Sequence, residues 1–114
     1  MHELAIVEGI LETVIPAVKK YPDVSRIATI KLRIGELSGV VPECINEYFL
    51  IAAQGTIAEG VKIEIERIPV GIKCGSCGYE GPFEGKVNRC PKCGGIDYRI
   101  VSGREYYVDS VEAE

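Results

Sequence analysis

The sequence predicts an α+β fold: a small three-stranded sheet with two helices, plus an inserted module that carries two C-x-x-C knuckles. Two segments repeat apolar residues at helical spacing, other segments alternate apolar and polar residues, and four of the five cysteines form two pairs. We expect a first domain of residues 1–69, completed by the C-terminal strand at residues 98–114. Residues 70–97 should form the cysteine-bearing module.

The first predicted helix covers residues 4–20, where apolar residues recur three and four positions apart. Its expected buried face consists of Leu4, Val7, Leu11, Val14 and Val18. Pro16 falls inside this segment and lacks a backbone N–H, so we expect a kink or a break there.

The second predicted helix begins at Pro42, a favourable first residue, and ends before Gly55. Its expected buried face consists of Ile45, Tyr48, Phe49 and Ala52. Cys44 lies near this face and has neither a C-x-x-C neighbour nor a nearby histidine in the sequence. We interpret it as a buried, inert thiol.

Residues 26–34 and 61–68 alternate apolar and polar side chains, which is typical of half-buried strands. Residues 35–39 contain two glycines and predict a turn. Short strands are also predicted at residues 98–101 and 104–111, and the last should return to the first domain as the third strand of its sheet. Because both helices cover about one sheet face, the other face should be partly exposed or used for contact.

The composition and the charge argue against several classes of protein. The net charge of −4 and the pI near 5.1 argue against general nucleic-acid binding, which usually needs a positive face. No apolar run approaches the roughly 18 residues of a spanning helix. The N-terminus shows no basic region followed by an apolar one, so we expect no signal peptide. We expect a cytoplasmic protein, in which paired cysteines hold a metal more often than they form disulfides.

The two knuckles, at residues 74–77 and 90–93, bring together four thiols at a spacing within zinc-ribbon variation. The predicted ligands are Cys74, Cys77, Cys90 and Cys93. Gly78 and Gly94 follow the knuckles and can adopt a positive φ, which lets backbone N–H groups turn toward the sulfurs. Zinc is the preferred metal, but a rubredoxin-like iron site stays open because four sulfurs suit either metal. Two disulfides or a redox pair are the remaining interpretations.

Nothing in the sequence indicates an enzyme. His2 is the one histidine, a four-cysteine site has no open position for substrate, and no glycine loop has a phosphate-binding spacing. Basic residues surround the knuckles and offer a nucleic-acid face, although they also offset the negative charge of a metal with four thiolates. They are Lys73, Lys86, Arg89 and Lys92.

A histidine at position 2 has a specific use. The α-amine of Met1, the backbone nitrogen of His2 and its imidazole can chelate a metal in one plane, with the backbone nitrogen or carboxylate of Glu3 as fourth donor. Such a planar set suits Ni(II) or Cu(II). The alternative is a frayed terminus that happens to carry a histidine.

The sequence resembles the HypA/HybF family of hydrogenase nickel-incorporation proteins over nearly its whole length. The matching motifs follow in family order: Met1-His2-Glu3, residues 34–39, residues 55–56, residues 63–66, the two knuckles, and Ser102-Gly103 with Glu105. One departure is Val41, because many members carry an aspartate just before the proline of the second helix. Any role of that acid in nickel binding is therefore not available here.

The resemblance implies a nickel metallochaperone for [NiFe]-hydrogenase maturation, not an enzyme. Met1, His2 and Glu3 would hold nickel as cargo, and the four knuckle cysteines would hold structural zinc. The implied partners are a HypB-type GTPase and the [NiFe]-hydrogenase large subunit. We expect no nucleic-acid or membrane partner, and a monomer or weak homodimer. Two other interpretations stay open: a zinc-ribbon adaptor that binds RNA or protein, and a rubredoxin-like electron carrier.

Overall fold

The computed structural model describes residues 3–83 and 89–114. Met1, His2 and Lys86, which the sequence analysis singled out, lie outside these ranges. The elements in chain order are α1 (Glu3–Lys19), β1 (Ile27–Gly35), α2 (Pro42–Ala52), β2 (Lys62–Ile68), β3 (Gly71–Cys74), β4 (Glu80–Pro82), β5 (Tyr98–Ser102) and β6 (Tyr106–Ala113). The predicted α+β fold, with two helices and a three-stranded sheet, is confirmed.

The larger sheet has the strand order β2-β1-β6. β1 is parallel to β2 and antiparallel to β6. A parallel pair needs a crossover connection, and α2 lies in the crossover from β1 to β2. Ile30, Leu32 and Ile34 of β1 are buried, and the residues between them are half-buried. We call α1, α2 and this sheet the helical domain.

The core of the helical domain lies between the helices and β1. Val7, Leu11, Val14 and Val18 are buried on α1, as the apolar spacing predicts. Leu4 is 41% exposed, so its assignment to the buried face is wrong. Leu4 occupies the first turn of α1, at the end of the buried stripe.

The second helix begins at Pro42, as predicted, and ends at Ala52. Ile45 and Phe49 are buried in the core, whereas Tyr48 and Ala52 are half-buried and pack against it. The predicted face is therefore correct, with its margins partly open to solvent.

Helix α1 continues through Pro16 to Lys19, so the predicted alternative of a break is wrong. Pro16 removes the N–H that would bond to the carbonyl of Glu12. Both residues are exposed, so water has access to this side of the helix. Val14 and Val18 are buried on either side of the proline, and their packing supports the last turn.

The smaller sheet has the order β4-β3-β5, with both pairs antiparallel. We call the part of the chain from β3 to β5 the cysteine module. The assignment of residues 98–101 to the first domain is wrong, because β5 pairs with β3 and Tyr98 lies opposite Cys74. Only β6 returns to β1, so the module is inserted before the last strand and extends to Ser102. An alternating pattern of five residues does not show which sheet a strand joins.

The face of the larger sheet opposite the helices is partly exposed, as predicted. Lys31 and Arg33 of β1 form ion pairs with Glu66 of β2, at 3.6 and 3.2 Å. Arg33 also donates a hydrogen bond to the hydroxyl of Tyr107 at 3.3 Å. These exposed pairs contribute little stability.

Neither helix found in residues 3–83 and 89–114 has the length and apolar character required to cross a membrane.

Candidate metal centre

The structure brings the four predicted cysteines together. All four Sγ atoms lie within 4.8 Å of one another. The Sγ atoms of Cys74 and Cys93 are 3.7 Å apart, and those of Cys77 and Cys90 are 3.6 Å apart. Sulfurs bound at 2.3 Å around a tetrahedral zinc ion would be about 3.8 Å apart. The two quoted pairs therefore lie within a few tenths of an ångström of the zinc geometry, and all four sulfurs are close enough to share one ion.

None of the four thiols is in a disulfide. The sulfur separations exceed the roughly 2 Å of an S–S bond by well over an ångström. The structure therefore gives no support to the interpretation as two disulfides, whereas the separations are those of four ligands around one ion.

The two knuckles have the same backbone geometry. In the first, the N–H of Cys74 donates to the carbonyl of Tyr79 at 2.8 Å, and the N–H of Gly78 donates to the carbonyl of Cys74 at 3.1 Å. The second knuckle repeats both bonds at 2.9 Å, from Cys90 to Gly95 and from Gly94 to Cys90. Two local turns, separated in sequence, therefore present paired thiols in the same way.

A glycine closes each knuckle in the left-handed region, as predicted. Gly78 has a φ of 78° and Gly94 has a φ of 72°. A residue with a Cβ rarely adopts this conformation without strain. The second knuckle also directs an N–H at sulfur, since Gly95 donates to Sγ of Cys93 at 3.4 Å. Such donors stabilise thiolate charge around a metal.

Burial differs among the four cysteines of the cluster. Cys74 and Cys90 are buried, Cys77 is half-buried and Cys93 is exposed. Cys74 ends β3 next to the fully buried Ile72, so the first knuckle is anchored on the smaller sheet. The cluster therefore has a protein side and a solvent side.

The thiols affect one another's ionisation. Burial raises the pKa of Cys90, but the backbone N–H groups of Cys93 and Lys92 and the Sγ of Cys77 outweigh it and lower the pKa to about 6. The N–H of Gly95 lowers the pKa of Cys93, yet burial and the three neighbouring thiols raise it to about 11. One thiolate forms readily in the cluster, and further ionisation requires a cation to balance the added charge.

Of the three residues predicted to hold nickel, the structure describes Glu3, which begins α1. Its Oε1 accepts a hydrogen bond from the backbone N–H of Val41 at 3.3 Å. Val41 is the N-cap residue of α2, so the Glu3 carboxylate lies at the positive end of that helix. In the sequence, Val41 is notable only because many family members have an aspartate at this position. The hydrogen bond from its backbone N–H to Glu3 could not be predicted from the sequence.

Cys44 does not join the cluster. It lies in α2 and is half-buried, so the prediction of a buried thiol is wrong in degree. Its position beside the buried Ile45, at the margin of the packed face, leaves one side of it open to solvent.

The comparison with family models and the comparison with curated proteins identify the same family. The family model described as "Hydrogenase/urease nickel incorporation, metallochaperone, hypA" matches residues 1–113. Similar curated proteins include the hydrogenase maturation factor HypA of Geobacter metallireducens, 39% identical over the full length of both chains. The same-named protein of Dehalococcoides mccartyi strain 195 is 35% identical over the whole of this chain and 95% of its own.

Two solution structures share the fold. That of the Ni metallochaperone HypA from Helicobacter pylori has a TM-score of 0.65 at 20% identity, covering 99% of this chain and 97% of the other. A second structure of a HypA protein has a TM-score of 0.71 at 22% identity, covering 100% and 97%. At these identities the likeness concerns the fold alone.

Proposed function

Because this chain belongs to the HypA family of nickel-incorporation metallochaperones for hydrogenase maturation, we propose that it binds Ni(II) at its N-terminus and delivers it to [NiFe]-hydrogenase. The observation that supports this proposal best is the extent of the family match, from residue 1 to residue 113. The match includes both the N-terminal segment with His2 and the four-cysteine cluster.

In this proposal nickel is cargo, held by the α-amine of Met1, the backbone nitrogen and imidazole of His2, and a donor from Glu3. The backbone nitrogen of Glu3 is the better fourth donor, because its carboxylate is hydrogen-bonded to Val41.

The four knuckle cysteines would hold zinc, which would cross-link the two knuckles when bound. With four thiolates the metal has no open position, so zinc would have a structural role. We infer no catalytic reaction for this chain. A chelate at the chain end is accessible for transfer, whereas a closed four-sulfur site is not.

We further propose a HypB-type GTPase and the [NiFe]-hydrogenase large subunit as partners, in the cytoplasm. The protein would act as a monomer or weak homodimer, without nucleic-acid or membrane partners. The negative charge of the chain favours this over the alternative of an RNA-binding zinc-ribbon adaptor.

Nickel titration of two purified, zinc-loaded forms tests the proposal. One form has the α-amine of Met1 free, and the other carries a few added residues ahead of Met1, which turn that amine into an amide. We expect a planar, mostly nitrogen nickel site, seen in the absorption spectrum, in the first form only. Equal zinc content in both forms controls for folding. If both forms bind nickel equally, the chelate is refuted and the adaptor becomes the leading interpretation.

A further inference from the structure

One turn of the helical domain is hydrogen-bonded beside the two crossings between the sheets. The chain crosses from β2 to β3 at residues 69–70 and from β5 to β6 at residues 103–105. The turn at residues 35–37 donates two backbone hydrogen bonds to the second crossing, Gly35 to Glu105 at 2.7 Å and Leu37 to Gly103 at 2.6 Å, and one to the end of β2, Glu36 to Ile68 at 3.0 Å. We call the turn and the two crossings the joint.

The joint is packed backbone against backbone. Gly35 is buried, and a Cβ at this position would collide with the Gly103 carbonyl. Gly103 has a φ of 106°, and a Cβ there would lie 3.0 Å from the Cα of Val70. The turn and the first crossing therefore both approach Gly103 closely, and a side chain at Gly35 or Gly103 would force its neighbours to shift.

The Glu105 side chain closes the second crossing. Its Oε1 accepts a hydrogen bond from the N–H of Gly103 at 2.5 Å. The N–H groups of Glu105 itself and of Gly103 are the main causes that lower the pKa of this carboxyl. The N–H of Arg104 and the charge of Arg33 add to the effect, and burial opposes it. The carboxylate is therefore charged at neutral pH. It is hydrogen-bonded to Gly103, the residue of the crossing that has the widest range of backbone conformations.

Gly103 is the pivot of this arrangement because it has the greatest backbone freedom in the crossing. The other crossing contains Pro69, whose φ is fixed by its ring. Ser102 also donates a side-chain hydrogen bond to the carbonyl of Pro69 at 3.2 Å. Rotation between the sheets can therefore be taken up at Gly103, and the Glu105 carboxylate opposes that change.

We propose that Glu105 is the positioning residue that locks the joint and holds the cysteine module at one orientation to the helical domain. This inference does not depend on nickel binding, because every contact in it lies within the joint.

Residual dipolar couplings of the zinc-loaded, ¹⁵N-labelled protein test the lock. In the unchanged protein, amides of both sheets should fit one alignment tensor. In Glu105→Ala we expect both sheets to stay folded while the cysteine module aligns more weakly than the helical domain. Amide exchange at Gly103 and Leu37 should accelerate about tenfold or more, because a charge-assisted hydrogen bond is lost.

Two further variants make the result specific. Glu112→Ala removes an exposed carboxylate from β6, outside the joint, and should keep one tensor. Glu105→Gln removes the charge but keeps an oxygen that accepts the Gly103 N–H, so it should restore most of the common alignment. If the charge alone held the joint, Glu105→Gln would behave like Glu105→Ala.

If Glu105→Ala unfolds, the test rests on Glu105→Gln, in which amide exchange at Gly103 should be faster than in the unchanged protein. A single tensor and unchanged exchange at Gly103 in the folded variants would overturn the proposal.

Discussion

Gly35 and Gly9 are both within regular elements, yet their surroundings differ completely. Gly9 is exposed on α1, and a Cβ added there would have no atom within 4 Å. Gly35 ends β1 and is buried against the backbone of Gly103 and Arg104. The packing therefore requires a residue without a side chain at Gly35 but not at Gly9.

We predict opposite effects of alanine at these two positions. Gly35→Ala should lower the free energy of unfolding by about 2 kcal/mol or more, because the joint must open to accommodate the methyl group. Gly9→Ala should raise it by about 0.5–1 kcal/mol, because alanine is the better helix former. Urea unfolding of the zinc-loaded proteins measures both. Equal effects would mean that the joint has room for a side chain.

At the residue scale, sequence reasoning predicts the clustering of the four cysteines better than it predicts individual hydrogen bonds. The four cysteines could be predicted because two local knuckles, each closed by a glycine, already specify paired thiols. The hydrogen bond between Glu105 and Gly103 could not, although both residues belong to a quoted motif. It matters only because the second crossing meets the turn at residues 35–37, and that meeting depends on the whole topology.

At the scale of elements, α1 shows tertiary packing overriding a local breaker. A proline in a helix interior removes one hydrogen bond and costs about 3 kcal/mol. The helix persists because its buried stripe continues past Pro16 to Val18, which packs in the core. The spacing of the apolar residues predicted the buried stripe around Pro16 correctly. The expectation that an interior proline breaks the helix ignored the packing of that stripe.

We predict that Pro16→Ala stabilises the protein. The change restores the N–H for the Glu12 carbonyl, and Pro16 is exposed, so no core packing is lost. Proline also restricts the unfolded chain, which offsets about 1 kcal/mol, so the net gain should be about 1–2 kcal/mol. Thermal unfolding followed by circular dichroism at 222 nm gives the measurement. A lower midpoint would show that Pro16 has a packing role that its exposure does not reveal.

Strand pairing is where sequence patterns were least informative. Both β5 and β6 were predicted as short strands from their sequences, yet β5 pairs with β3 and β6 with β1. The N–H of Gly75, within the first knuckle, donates to the carbonyl of Asp97 at 2.6 Å, so the start of β5 lies beside the end of β3. A single-strand pattern contains no information about such a long-range contact.

At the scale of the whole molecule, the two parts have different sources of stability. The helical domain has a continuous core of buried apolar residues from both helices and β1. In residues 71–83 and 89–102 of the cysteine module, Ile72 is the one buried apolar side chain apart from cysteines. The rings of Phe83 and Tyr98, 5.1 Å apart, add a partly exposed contact. Burial alone is insufficient for such a small unit, so metal binding must supply the remainder.

Removing zinc should therefore unfold one part and spare the other. With a strong chelator at neutral pH, we expect amides of β3 and β5 to lose nearly all protection from hydrogen exchange, while those of α1 and β1 keep theirs. Without the cation nothing bridges the four sulfurs, so the cluster no longer holds the two knuckles together. Exchange measured by mass spectrometry on the same sample with zinc restored provides the control. Loss of protection in α1 as well would mean that the joint transmits unfolding. Retained protection in β3 and β5 would mean that the cysteine cluster is not what stabilises the module.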